Sequence, residues 1–151
     1  MEEIIQLNSG AKLSPHFTLG ELTKSSSHPE IYNIPSHVAI ANLKRVCVWL
    51  EELRKRYNQP IIINSGYRSP QLNRAIGGVA TSNHLSGCAV DIRVSGLEQL
   101  IVYAAILLDI SRDWQQDFDE LLIEKNRHGA MWLHFAVRPS GNRRKVAFIN
   151  A

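Results

Sequence analysis

The sequence predicts an α+β fold, in which a small, mainly antiparallel sheet carries flanking helices. Apolar residues recur at three- and four-residue steps over residues 36–57 and 97–109, which is the spacing of amphipathic helices. Other segments are short and rich in β-branched or alternating apolar residues, as strands are. The predicted strands are residues 61–64, 88–94, 118–124 and 131–137.

The helices have recognisable start and stop signals. Thr18 is a good N-cap and Glu21 follows at the capping-box spacing, which predicts a short helix. Pro35 and Ser36 open the long helix, and Pro60 ends it. A further one or two helical turns are expected over residues 70–76.

The predicted strands alternate in a way that gives each a polar face. In residues 88–94, Val90 and Ile92 alternate with Asp91, so the carboxylate lies on the opposite face from these apolar side chains. Residues 118–124 and 131–137 are expected to form an antiparallel hairpin around the polar turn 125–129.

Size and composition exclude several classes of protein. The chain has 151 residues, 44% hydrophobic and 21% charged, and we expect residues 1–151 to form one globular domain. No stretch approaches the roughly 20 apolar residues of a membrane span, and residues 1–3 begin no secretion signal. Cys47 and Cys88 are expected to be buried free thiols.

The net charge of +3 is concentrated late in the chain, at Arg138 and residues 143–145. This cluster is interpreted as a solvated surface loop, or alternatively as a patch that attracts an anionic polymer such as cell wall. Basic residues do not form a helical stripe with stacking aromatics, so nucleic acid is not an expected partner. Neither is a membrane, and a monomer is expected.

Two imidazoles and a carboxylate are candidate metal ligands. His84 precedes a turn at Gly87 and Asp91 follows in a strand, so the two side chains can converge; His134 lies in a later strand. Two His and one carboxylate are a known ligand set for catalytic zinc that leaves a position open for water. A lone His in an apolar strand is more often a core residue. Burial of a carboxylate such as Asp91 among apolar neighbours costs free energy unless a positive charge compensates it. A metal ion would supply that charge, and so would a salt bridge to Arg68 or Arg93.

These residues lie in motifs that resemble those of the M15 peptidases, the zinc D-Ala-D-Ala carboxypeptidase and LAS metallopeptidase family, especially its short single-domain members from phages and bacteria. The resemblance extends over nearly the whole chain. The matching segments are Phe17-Thr18-Leu19, Ser65-Gly66-Tyr67-Arg68-Ser69-Pro70, Ser82-x-His84-x-x-Gly87-x-Ala89-x-Asp91, Trp132-x-His134 and Asn142-Arg143-Arg144.

The resemblance implies a fold like that of hedgehog and D-Ala-D-Ala peptidases, with one Zn²⁺ per chain held by His84, Asp91 and His134. It implies that Arg68 binds substrate and stabilises the charged intermediate, with Ser82 and Trp132 as further substrate contacts. The implied function is hydrolysis of peptidoglycan stem peptides by zinc-activated water, as a carboxypeptidase or a related endopeptidase. The protein is then expected to be made in the cytoplasm and to act on the wall after release, or as a phage-associated protein.

The general base departs from the family pattern. Some branches have a Glu three residues before the last zinc ligand and others a His two residues before it, where this chain has Met131 and Trp132. Glu124 is the remaining candidate if the predicted hairpin places it across from one of these two residues; a register slip would turn it away. His128 is a weaker candidate, and residues 119–120 are expected to be surface groups. The missing base motif also favours an alternative, a non-catalytic zinc-binding module of the same fold.

Overall fold

The structure is a computed structural model that describes residues 9–25 and 27–151. It confirms the α+β prediction, with helices beside a two-stranded and a five-stranded sheet. The elements are β1 (Lys12–Ser14), β2 (Phe17–Thr18), α1 (Leu19–Thr23), α2 (His37–Tyr57), β3 (Ile63–Ser65), α3 (Pro70–Ala75), a 3₁₀ turn (Asn83–Ser86), β4 (Ala89–Arg93), α4 (Leu97–Trp114), β5 (Glu120–Lys125), β6 (Met131–Ala136) and β7 (Lys145–Asn150).

The larger sheet has the order β3-β4-β6-β5-β7. The three pairs among its first four strands are antiparallel, and the predicted β5–β6 hairpin is confirmed. Asp91, His134 and Leu122 are paired in one row across β4, β6 and β5. Residues that face each other across neighbouring strands point to the same side of a sheet, so this row occupies one face.

The opposite face of the sheet carries the core. Val90 and Phe135, which alternate with Asp91 and His134, are fully buried there beneath α2 and α4. The ring of Trp49 in α2 lies 5.4 Å from that of Phe135. The helices cover the face that carries the apolar side chains. The polar side chains, Asp91 among them, lie on the other face, because successive residues of a strand point to opposite sides of the sheet.

The last strand was not predicted. Residues 145–150 form β7, which pairs in parallel with β5, so the sheet is mixed and not purely antiparallel. The interpretation of residues 143–145 as a solvated surface loop is confirmed for Arg143 and Arg144, which are exposed in the loop before β7, whereas Lys145 begins the strand. Attraction of an anionic polymer by these residues stays a prediction. Arg143 binds the carboxylate of Asp119, and Arg144 binds Asp117 and lies 4.9 Å from the ring centre of Phe118.

Other predictions are confirmed with small shifts of boundary. Thr18 and Glu21 form the predicted capping box, Ser36 caps α2, and α4 continues five residues beyond its predicted end to Trp114. Both cysteines are buried free thiols. Within the described ranges, none of the helices combines the length and apolarity needed to cross a bilayer. The expected lack of a secretion signal concerns residues 1–3, which lie outside the described residues.

Candidate metal centre

His84 is held by a tight turn between α3 and β4. Ser82 caps the 3₁₀ turn by accepting a hydrogen bond from the backbone N–H of His84, and Gly87 ends it with a φ of +75°. A Cβ at Gly87 would stand 2.5 Å from the carbonyl oxygen of Ala39 in α2, so only glycine lets this turn lie against that helix. The close approach of the turn to α2 places the His84 ring at the sheet.

Three side chains converge on the face of the sheet that carries Asp91, opposite the helices. Asp91 Oδ1 lies 3.2 Å from His84 Nε2 and 3.1 Å from His134 Nδ1. One ligand atom from each of the three residues lies within 4.8 Å of the others, and the residues are 2–6% exposed. The sequence-predicted ligand set is thus brought together in space.

The donor set fits a cation. His84 Nδ1 lies 2.6 Å from the carbonyl oxygen of Gly66, which can only accept, so Nδ1 carries a proton and Nε2 is the nitrogen that faces Asp91. A lone pair and a carboxylate oxygen at 3.2 Å repel each other unless a proton or a metal ion lies between them. A backbone carbonyl on the second ring nitrogen is also the usual support of a metal-binding histidine.

The charges of the three side chains depend on one another. Burial by itself raises the pKa of Asp91, but His84 and His134 outweigh burial and lower it well below its ordinary value. Asp91 is therefore an anion at neutral pH and can contribute a full negative charge to a metal. Burial lowers the pKa of His134, whereas its hydrogen bonds to Asp91 and Glu120 raise it, to about 9 overall.

Arg68 lies beside the cluster. Its Nη2 is 3.1 Å from Asp91 Oδ2 and its Nε donates to Ser65 Oγ. Its side chain is 14% exposed, so the guanidinium is mostly buried where it contacts Asp91. Of the two salt bridges considered for Asp91, the one to Arg68 is present, and Arg93 is exposed.

Glu124 lies on the same face as His134. It pairs with Trp132, two residues along each strand from the row of Leu122 and His134, so the pleat turns its side chain to the open side. The indole N–H of Trp132 donates to Glu124 Oε2. Burial, followed by the charge of Asp91, raises the pKa of Glu124 above its ordinary value.

The remaining predicted residues lie at the margins. Ser82 serves as the cap described above, and beyond it a surface cleft extends to Asn42 and Arg138. His128 is exposed in the β5–β6 turn, where its ring accepts from Arg127. This turn lies beyond the Glu124–Trp132 pair, so His128 is not brought to the cluster.

The expectation that residues 119–120 are surface groups was wrong. Asp119 is fully buried, and Glu120 Oε1 lies 2.9 Å from His134 Nε2. The strand alternation in the sequence predicts that Glu120 lies on the same face as Glu124, because residues four apart in a strand point to the same side. Asp119 gave no such signal, because its burial depends on Arg143 in a distant segment.

Two imidazoles and a buried carboxylate, with a second carboxylate and a guanidinium alongside, are the residue types of a mononuclear metallohydrolase site. The model of the peptidase M15 family matches residues 15–120. The chain belongs to the peptidase M15 family, which implies a peptidase. The matched segment contains Arg68, His84 and Asp91 and ends before Glu124 and His134. A search of curated proteins gave no match.

Proposed function

We propose that the chain is a zinc-dependent peptidase that hydrolyses peptidoglycan stem peptides, as a D-Ala-D-Ala carboxypeptidase or a related endopeptidase. One observation carries the proposal: His84, Asp91 and His134 offer ligand atoms within 4.8 Å of one another. These three residues would hold one Zn²⁺. Family membership supports a peptide substrate.

Zinc bound there would supply Lewis-acid polarisation of a substrate carbonyl and would lower the pKa of a water molecule. Glu124 is the proposed base. Its Oε2 is held by the Trp132 indole, which leaves Oε1 to accept a proton from the attacking water and return it to the leaving amine. Its raised pKa suits this exchange, because a carboxylate nearer neutrality both accepts and returns a proton readily.

Arg68 is the proposed substrate-binding cation. Its position beside Asp91 puts a positive charge where negative charge develops on the substrate, and it would also attract a peptide carboxylate. Burial lowers the pKa of Arg68, but a guanidinium stays charged at neutral pH. Trp132 and Ser82 are proposed as further substrate contacts, the first through its partly exposed indole and the second through its hydroxyl hydrogen.

We place this activity at the cell wall, in a single-domain monomer that is made in the cytoplasm and acts after release or as a phage-associated protein. Stem peptides with D-amino acids would be the partners, and no nucleic acid or membrane is needed. The net charge of +3 would favour the approach of the chain to an anionic wall polymer.

The test is to incubate the zinc-loaded protein with purified stem peptides and to identify products by mass spectrometry. His84→Ala should remove both metal and activity. Glu124→Gln should keep zinc and lose about a hundred- to ten-thousandfold in rate, whereas Glu98→Gln, an exposed carboxylate at the start of α4, should behave as the wild type.

The products decide the class of peptidase. Loss of one D-Ala indicates a carboxypeptidase, and internal fragments indicate an endopeptidase. No product from any stem peptide, despite bound zinc, would refute the hydrolase and favour the non-catalytic module. Met131 and Trp132 at the family's usual base positions are the observation behind that alternative.

A further inference from the structure

The last residue of the ligand set has a carboxylate behind it. His134 directs Nδ1 at Asp91 and Nε2 at Glu120, whose Oε1 is 2.9 Å away. Since a carboxylate only accepts, Nε2 carries a proton in this arrangement; Nδ1 faces Asp91 and is the nitrogen that would give up its proton to bind a metal ion there. A second hydrogen bond of this kind fixes the tautomer and orientation of a metal-binding imidazole.

Glu120 is itself held in place from the His84 side. Asn83 Nδ2 donates to Glu120 Oε1 at 2.6 Å and to Asp119 Oδ2 at 2.7 Å. Asn83 directly precedes His84, so one amide connects the turn that carries one imidazole with the carboxylate behind the other.

Asp119 anchors the far end of these contacts. Its carboxylate accepts two side-chain hydrogen bonds from Arg143, at 3.0 and 2.8 Å, and lies 3.2 Å from Arg138 Nε. Both arginines follow β6, so the segment leading into β7 holds Asp119 and, through Asn83, the side chain of Glu120. These two arginines thereby contribute to the placement of Glu120 behind His134.

We propose that Glu120 is a positioning residue for the metal centre: it holds the proton of His134 on Nε2 and so presents Nδ1 to the ion. The inference rests on the proposed metal site. The relevant property of Glu120 is an acceptor oxygen at Oε1, which glutamine also has. Alanine has no such oxygen and would leave the ring free to rotate or to change tautomer.

The first measurement is zinc affinity, by competition with a chromophoric chelator and without any substrate. Loss of the second hydrogen bond to a ligating histidine costs about 10- to 100-fold in metal affinity, which is the loss expected for Glu120→Ala. Glu120→Gln should bind nearly as tightly as the wild type, and so should the surface control Glu98→Ala. Equal affinities in wild type and Glu120→Ala, or an equal loss in the Gln and Ala variants, would overturn the proposal.

The second measurement covers the case in which Glu120→Ala folds poorly. Long-range ¹H–¹⁵N spectra of the zinc-loaded wild type should show His134 protonated on Nε2, with a proton that exchanges slowly with water. A ring protonated on Nδ1 would overturn the proposal. A wild type that binds zinc with these properties but cleaves no stem peptide would refute only the hydrolase, so the two failures are distinguishable.

Discussion

Asp119 should be a main source of acid sensitivity in this fold, and Asp119→Asn tests this. The carboxylate is fully buried and accepts from the side chain and backbone N–H of Arg143 and from Asn83. Burial raises the pKa of Asp119, but these donors together lower it from 3.8 to about 2. At 1.36 kcal/mol per pKa unit, the difference corresponds to about 2 kcal/mol of folding free energy.

The sign follows from linkage. A carboxylate with a lowered pKa in the folded state stabilises the fold above the unfolded pKa of 3.8, and this contribution is lost as the pH falls through about 2. Breaking a buried ion pair costs about 3–5 kcal/mol when the remaining charge stays buried. Arg143 is 51% exposed and can regain water, so we expect about 3 kcal/mol for Asp119→Asn at pH 7.

The assay is urea unfolding with a chelator present, so that metal binding does not add its own pH dependence. The difference in unfolding free energy between wild type and Asp119→Asn should shrink by about 1 kcal/mol from pH 5 to pH 3, and by about 2 kcal/mol at pH 2. Asp109→Asn is the matched control, since its side chain is 52% exposed and pairs with an exposed Arg112. A difference that stays constant with pH would refute the reasoning.

Three further substitutions test the surroundings of the site. Trp132→Phe removes a donor that lowers the pKa of Glu124, so the acidic limb of kcat/KM should move to higher pH; an unmoved limb would contradict the assignment of the base. Asn33 bonds the backbone on both sides of Arg68, so Asn33→Ala should lower kcat/KM at least about tenfold with zinc affinity retained; unchanged kinetics would argue against this role. Gly87→Ala should cost about 1–3 kcal/mol in urea unfolding and weaken zinc binding, because its φ is positive and its Cβ would meet a backbone carbonyl; wild-type values of both would refute the steric reasoning.

Much of the fold could be predicted because its signals are local. The helix over residues 37–57 and the β5–β6 hairpin each bury one face. Apolar residues therefore recur about every 3.6 residues in the helix and every 2 residues in the strands, and this repeat is visible in the sequence. β7 carries no such signal. Its partner β5 lies in an earlier segment, and Val146 and Phe148 are 56% and 81% exposed, so their alternation marks no buried face.

The candidate site divides in the same way. His84, Asp91 and His134 could be singled out by residue type, by spacing and by the cost of a carboxylate among apolar neighbours, and Arg68 by a motif that resembles the family's. Their roles remain predictions. The structure brings the three candidate ligands together, with Arg68 beside them.

By itself, the sequence determined the fold class, most of the elements and the residue types gathered for chemistry, because these depend on local periodicity and on side-chain identity. Only the tertiary structure decided which of two carboxylates on one strand meets His134, and that a buried Asp119 holds Arg143. Hydrogen-bond partners depend on strand register and on side-chain directions to within a few tenths of an ångström. Those are set by packing between segments far apart in the chain.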